Sequence, residues 1–388
     1  MNLLPNTNWN YPTAVWFGHG RTSEIAAACA QQGITRPLIV TDDALVKLPI
    51  MTTLTEALAA ADVPYVLFSD VQPNPTGENV EAGVQAFRDG GCDGVIAFGG
   101  GSALDAGKTI AFMAGQTLPL WDFEDVGDNW TQADSDAIAP TIAIPTTAGT
   151  GSEVGRATVI THSEDHAKKI IFHPAMMPAL VILDPDLTYD LPPHITAWTG
   201  IDALVHAVEA YLAPGYHPMA DGIAMEAIGL IKTHLSVAYN DPHNAEARAQ
   251  MLVAAMMGAT AFQKGLGSVH SLAHTLGGLY NTPHGLANSI ILPYALRQNS
   301  PAIGERMAKL CAFLEIDDPS TESFIRWILE LREALGIPHS LADADIPDGR
   351  IEQIGEIAYA DPSTGSNAMP VTAQDFELLF IHAWNGIL

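Results

Sequence analysis

The feature that most limits the architecture of this chain is a change of hydrophobic period along its length. In the first half, short apolar runs at 37–42, 63–68, 93–98 and 141–144 have the length of strands and alternate with helical patterns. The segment 76–89 is of the helical kind: Val80, Val84 and Phe87 fall on one face, while Glu78, Glu81 and Arg88 turn to water. Strands alternating with helices predict a parallel sheet covered on both sides, with ligand loops at the carboxyl ends of its strands. After residues 181–185 the strand pattern stops. Pro192-Pro193 punctuates the chain, and 197–212, 219–235 and 245–262 read as helices rich in Ala, Met and Leu. The expected organisation is an α/β domain over 1–188 and an all-helical domain over 189–388, the latter closed by 359–383. The chain shows no internal repeat and no low-complexity segment.

Composition narrows the function. Dividing 388 residues by about 150 per domain gives two or three domains. Seventeen Lys and Arg against 44 Asp and Glu leave a formal charge of −27. Such a surface repels nucleic acid and anionic membranes, and no basic run offsets it. Three cysteines, Cys29, Cys92 and Cys311, have no metal-type spacing and an odd count. The first residues lack a basic, then apolar, leader, and no apolar run approaches the roughly 18 residues of a membrane span. These features predict a soluble, cytoplasmic protein that binds neither nucleic acid nor membrane.

Two loops after strands carry the first chemical signal. In Phe98-Gly99-Gly100-Gly101-Ser102-Ala103-Leu104-Asp105, the glycines let backbone approach a diphosphate at the start of a helix. The spacing is neither a dinucleotide G-x-G-x-x-G nor a P-loop, and an ordinary strand–helix turn is the alternative. The second loop, Thr146-Thr147-Ala148-Gly149-Thr150-Gly151-Ser152-Glu153, offers hydroxyls and free amides to a nucleotide or substrate.

The helical half carries the second signal. Asp202 and His206 stand four apart on one helical face, His270 and His274 repeat that spacing, and His284 follows. A single histidine in such apolar surroundings reads more readily as a satisfied core residue than as a ligand. The cluster points instead to a divalent ion such as Fe²⁺ or Zn²⁺, held without thiolate. A nucleotide loop with a metal site suggests metal-assisted hydride transfer.

Four blocks, GGGSALDAGK, PTTAGTGSE, GIDALVHAVEAY and GLGSVHSLAHTLGGLYNTPHG, stand in one order. Together they closely resemble the iron-containing (group III) alcohol dehydrogenases over roughly residues 10 to 385. The resemblance implies a dehydroquinate synthase-like architecture: a Rossmann-like parallel-sheet domain, then a helical metal-binding domain, with the active site between them. It further implies an enzyme that exchanges hydride between NAD(H) and an alcohol/aldehyde pair, as a homodimer or larger homo-oligomer. By position, Asp202, His206, His270 and His284 match the metal ligands, and His274 a proton relay near the nicotinamide. Gly100, Gly101, Ser102, Asp105, Thr146, Thr147, Asn74 and Lys168 match cofactor contacts, with Lys169 a rival one residue away. Asp42 matches the residue facing the adenosine ribose, where a carboxylate favours NAD over NADP. Its alternative role is a strand-end turn former, with Asp43 as a rival for the contact.

Arg156 and Lys264 fall in segments expected to flank the pocket, where several relatives acting on small neutral alcohols are apolar or neutral. They suggest an anionic substrate, such as an ω-hydroxy acid and its semialdehyde or a phosphonate analogue. Structural salt bridges or contacts with cofactor phosphate are the alternative. The rival functions are a glycerol dehydrogenase-like polyol oxidoreductase, a dehydroquinate synthase-like lyase, and a non-catalytic nucleotide- or metal-binding protein. Ser102, where glycerol dehydrogenases typically carry lysine, and the intact histidine pattern favour the alcohol dehydrogenase.

Overall fold

The computed structural model describes residues 11–164 and 167–388, with the backbone alone at Ala167. The chain divides into two compact units, with the boundary in sequence between Tyr189 and Asp190. The first contains β1 (Ala14–Phe17), α1 (Ile25–Gln32), β2 (Pro37–Val40), α2 (Pro49–Ala60), β3 (Val66–Phe68), α3 (Gly77–Asp89) and β4 (Gly94–Gly99). It continues with α4 (Gly101–Met113), β5 (Thr141–Pro145), β6 (Ala157–His162), β7 (Ala167–Phe172) and β8 (Leu180–Leu183). Six strands form one sheet in the order β1-β8-β5-β4-β2-β3, every neighbouring pair parallel.

The sheet's inner strands are apolar on both faces, as burial on two sides requires. Leu38, Val40, Val95, Ala97 and Ala143 face one core, completed by Val80, Val84 and Phe87 of α3 and Leu104 and Ile110 of α4. The alternate residues Ile39, Ile96, Phe98, Ile142 and Ile144 face the other, with Ile25 and Ala28 of α1 and Leu54 and Leu58 of α2. Helix α3 starts at a capping box: the Thr76 hydroxyl accepts from the Asn79 amide while Asn79 Oδ1 accepts from the Thr76 amide.

The four strands read from sequence are present as β2, β3, β4 and β5, the second confined to Val66–Phe68. Strands β1 and β8 and the antiparallel hairpin β6–β7 add to them. β6 and β7 are partly exposed and polar along much of their length, so they lack the apolar run that marks a buried strand.

The second unit is helical: α5 (Pro193–Leu212), α6 (Pro218–Asn240), α7 (Ala245–Ala261), α8 (Ser268–Tyr280), α9 (His284–Phe313), α10 (Thr321–Ala334), α11 (Ile351–Ala360) and α12 (Ala373–Asn385). α5 begins at the second of two prolines, where the missing N–H costs nothing, and is buried from Gly200 to Leu212. Among the described residues no helix is long and apolar enough to cross a membrane.

Close packing of α4 on the sheet gives the first prediction. A Cβ built on Gly107 would stand 2.6 Å from Ala97 Cβ and 3.2 Å from its Cα, so helix and strand touch backbone to backbone. Gly107→Ala, although it raises helix propensity, should destabilise the protein by about 1–3 kcal/mol through overpacking. A lower urea midpoint at unchanged slope is the expected observation.

Candidate active site

Two loops of the α/β unit lie at the carboxyl ends of β4 and β5 and are built as one surface. Gly99, at φ +149°, turns the chain from β4 into α4, and its Cβ would lie 2.7 Å from that of Ala103. Gly100 is the N-cap of α4 and supplies no side chain, so the first-turn amides are left for an anionic group. A Cβ on Gly101 would meet Thr150 Cγ2 at 2.7 Å, and the Thr146 amide donates to the Gly99 carbonyl at 3.0 Å. The second loop therefore rests directly on the first.

Lys108, two turns further along α4, holds that loop from inside. Its ammonium is buried and donates to the carbonyls of Ser152 (2.9 Å), Ala157 (2.8 Å) and Gly155 (3.3 Å). Asp105 accepts from the Ser152 hydroxyl (2.5 Å) and the Val159 amide (2.9 Å) and lies 3.7 Å from Lys108 Nζ. Its carboxylate is thus engaged with the loop, an anchoring part that its place among the cofactor contacts did not suggest. Ser102 donates to the Pro73 carbonyl, tying the Asn74 segment to the same helix turn. Asp42 Oδ1 accepts from the amides of Ala44 and Leu45, both at 2.9 Å, so one of its oxygens does form the strand-end turn. Asp43 pairs with Lys47. In β7 Lys169 pairs with Glu124 at 3.0 Å, and Lys168, opposite Thr161, extends from the other side of the strand.

In the helical unit the four candidate ligands come together. Single ligand atoms of Asp202, His206, His270 and His284 all lie within 4.8 Å of one another. Asp202 Oδ1 is 3.5 Å from His284 Nε2, 3.9 Å from His270 Nε2 and 4.0 Å from His206 Nε2. Bonds near 2.1 Å place adjacent ligands roughly 3.0–3.6 Å apart, so a small contraction completes a divalent coordination shell. The hydrogen bonding calls for such an ion. The Asn288 amide nitrogen, with two N–H groups, faces three acceptors: Asp202 Oδ1 (2.6 Å), His284 Nε2 (3.0 Å) and His270 Nε2 (3.4 Å). Burial pushes the His270 imidazole down to about 4, so at neutral pH it is in the form that ligates. The residues present fit a divalent metal.

His274, one turn after His270 on α8, stacks on His284 with ring centroids 5.2 Å apart. Its Nδ1 pairs with Asp361 Oδ2 at 2.9 Å. Burial would raise the Asp361 carboxyl, but His274 and the Ser363 amide and hydroxyl hold it down at about 2. Of the two basic residues read as substrate contacts, Lys264 is committed elsewhere: its buried ammonium meets Asp221 at 2.6 Å and the Tyr211 carbonyl at 3.1 Å. Arg156 is not. Its guanidinium lies 5.5 Å from the Phe172 ring centroid and, among the described residues, has no carboxylate partner.

Two residues at the metal cluster escaped the sequence reading. Glu209 accepts from His270 Nδ1 at 2.7 Å, and Asn288 reaches Asp202. Each follows a ligand at helical spacing, Glu209 three residues after His206 and Asn288 four after His284, which is the signal that marks them.

Comparison with known proteins agrees with this geometry. Residues 12–185 match the family model "Iron-containing alcohol dehydrogenase", and 196–384 match "Fe-containing alcohol dehydrogenase family, C-terminal". The chain is 34% identical to 4-hydroxybutyrate dehydrogenase of Cupriavidus necator over 376 residues, covering 94% of this chain and 97% of that one. It is 33% identical to lactaldehyde reductase of Escherichia coli (strain K12), covering 95% and 97%. The crystal structure of a 1,3-propanediol oxidoreductase superposes with a TM-score of 0.93 at 34% identity, covering 98% of this chain and all of that one (100%). The chain belongs to the iron-containing alcohol dehydrogenase family. Its activity is that class's: hydride transfer between NAD(H) and an alcohol/aldehyde pair, with iron as the family's metal.

Metal and fold can be separated at Asp202. Wild-type protein should gain about 2.7 kcal/mol of stability when a divalent ion is present at 100 times its Kd. Asp202→Asn should melt at or above the metal-free wild type, because a buried carboxylate is removed, and should show no rise in Tm with Fe²⁺ or Zn²⁺. Thermal melts with and without metal read both effects.

Proposed function

We propose that the protein reduces short aldehydes carrying a second polar group, with NADH as donor and Fe²⁺ held by Asp202, His206, His270 and His284. Zn²⁺ satisfies the same donor set. The observation that carries this reading is the convergence of those four ligand atoms beside the His274–Asp361 pair. When bound, the divalent ion supplies a Lewis acid and the nicotinamide a hydride. The side chains supply the rest.

Asp361 accepts a hydrogen bond from His274 Nδ1–H, so Nε2 is the atom that gives a proton to the nascent alkoxide oxygen or takes one from the alcohol in the reverse direction. His274 keeps a side-chain exposure of 20%, enough to exchange that proton with water. The amides of Gly101 and Ser102 and the hydroxyls of Thr146 and Thr147 bind the cofactor, with Asn74 and Lys168 at its margin. Asp42 faces the ribose and disfavours a 2′-phosphate, which supports NAD over NADP. Free cysteines are consistent with a reducing, cytoplasmic setting, and the family resemblance supports a homodimer or larger assembly.

The substrate class follows from Arg156. Three of the relatives act, by their names, on 4-hydroxybutyrate, lactaldehyde and 1,3-propanediol, each with a second oxygen function, while a fourth is named for methanol, which has none. The Arg156 guanidinium, which has no carboxylate partner among the described residues, favours the carboxylate among them, whereas the buried Lys264 ammonium is engaged by Asp221, which it shares with Arg306.

The test is NADH oxidation by metal-stripped protein, before and after anaerobic addition of Fe²⁺ or Zn²⁺, with butanal, lactaldehyde, succinic semialdehyde and phosphonoacetaldehyde. Metal-restored turnover is the expected result. NADH binding without turnover on any aldehyde with either metal would favour a lyase or a non-catalytic protein. Arg156→Ala should raise KM for succinic semialdehyde about 10-fold or more and leave butanal nearly unchanged, the loss of one charged hydrogen bond being worth about 1.5–3 kcal/mol. Equal effects on the two aldehydes would remove the anionic substrate.

A further inference from the structure

Helix α8 starts at Gly267, an N-cap with no side chain, so its first amides must find acceptors from elsewhere. Two buried side chains supply them. Asn367 Oδ1 accepts from the Ser268 amide at 3.1 Å, and Glu209 Oε1 accepts from the Val269 amide at 2.8 Å. Only glycine fits at the cap: a Cβ there would stand 2.7 Å from Asn367 Oδ1 and 3.0 Å from Glu209 Oε1. The remaining oxygen of Glu209, Oε2, lies 2.7 Å from His270 Nδ1. The opposite nitrogen, Nε2, lies 3.9 Å from Asp202 Oδ1 and 3.4 Å from the Asn288 amide nitrogen, and is the His270 atom turned toward the other ligands.

We propose that Glu209 is a positioning residue of the metal centre: it fixes the His270 proton on Nδ1 and thereby keeps Nε2 open to the divalent ion. The inference rests on reading Asp202, His206, His270 and His284 as the metal ligands. A neutral imidazole has one proton, and the partner of one nitrogen decides which atom is left to ligate. Glu209 is well suited to that choice. As a carboxylate it offers two acceptor oxygens, and its position is set by an amide in the same helix as the histidine.

Glutamine is the informative replacement. A carboxamide has one acceptor and one donor, whereas Val269 N–H and His270 Nδ1–H both require acceptors. If the Gln oxygen stays on Val269, its NH₂ faces Nδ1 and drives the imidazole proton to Nε2, against the metal. If the group rotates, two N–H groups collide at Val269. Alanine has no such conflict. A small cavity lined by Glu209, Leu266, Asn299, Ser366 and Asn367 already adjoins the site, and truncation enlarges it to admit water that accepts from Nδ1.

The experiment is Zn²⁺ affinity of the metal-stripped full chain, measured by chelator competition. Glu209→Gln should bind Zn²⁺ about 10–100-fold more weakly than wild type, and Glu209→Ala should lose less. Unchanged affinity in Glu209→Gln overturns the proposal. So does the reverse order, with alanine the weaker binder, since lost packing would give that ranking. Imidazole ¹⁵N shifts of the Zn²⁺-loaded wild type give a second measurement that needs no variant to fold. A proton on His270 Nδ1 with the metal shift on Nε2 supports the assignment, and the opposite tautomer overturns it. Failure of wild-type chain to bind Zn²⁺ at all would instead remove the metal-site reading beneath it, which separates the two failures.

Discussion

The helical unit is organised around the cost of keeping one carboxylate and three imidazoles inside an apolar interior. A buried polar group without partners costs a few kcal/mol, and a buried charge more. Every ligand is therefore reached by a second polar side chain or lies against another ring. His270 has Glu209, Asp202 has Asn288, and His206 stacks on His270 with centroids 4.7 Å apart. Helix geometry does the placing: Asp202, His206 and Glu209 share one stripe of α5, His270 sits in the first turn of α8, and His284 is the first residue of α9.

The α/β unit solves a related problem with the opposite charge. Its Gly/Thr loop makes few helical or strand hydrogen bonds, so its carbonyls need donors. Buried Lys108 provides three, and desolvation lowers its pKa while Asp105 and Glu153 act to raise it. The loop so fixed stacks on Gly101, and the two segments become a single preformed surface. A ligand binding there orders little additional chain, which leaves more of the interaction free energy for affinity.

Much of this was legible in the sequence, for identifiable reasons. Strands β2, β4 and β5 are continuous apolar runs because both sheet faces are covered, and the i,i+4 pairs 202/206 and 270/274 put their side chains on shared faces. What stayed hidden lies in contacts between distant segments. Glu209 and His270 are 61 residues apart, and His274 and Asp361 are 87 apart. The step of three from His206 puts Glu209 on the ligand face of α5, but gives no sign of which imidazole it meets. Lys264 shows the reverse limit: its proximity to the ligands in sequence suggested substrate contact, while Asp221 on α6 claims its charge. The hairpin β6–β7 was missed because a half-buried antiparallel pair needs no continuous apolar run.

The capping of α8 by residues from other segments has a consequence for how the enzyme is made. Asn367 and Asp361, which hold the first turn of α8 and His274, come from the connection between α11 and α12, within the last thirty or so residues of the chain. Until that stretch is in place, the α8 amides and the His274 ring lack these partners, although all four ligands precede it in the chain. A correctly held metal therefore depends on the 361–367 segment as well as on the four ligands. A chain cut short before residue 361 would carry every ligand and still lack the frame that aligns them.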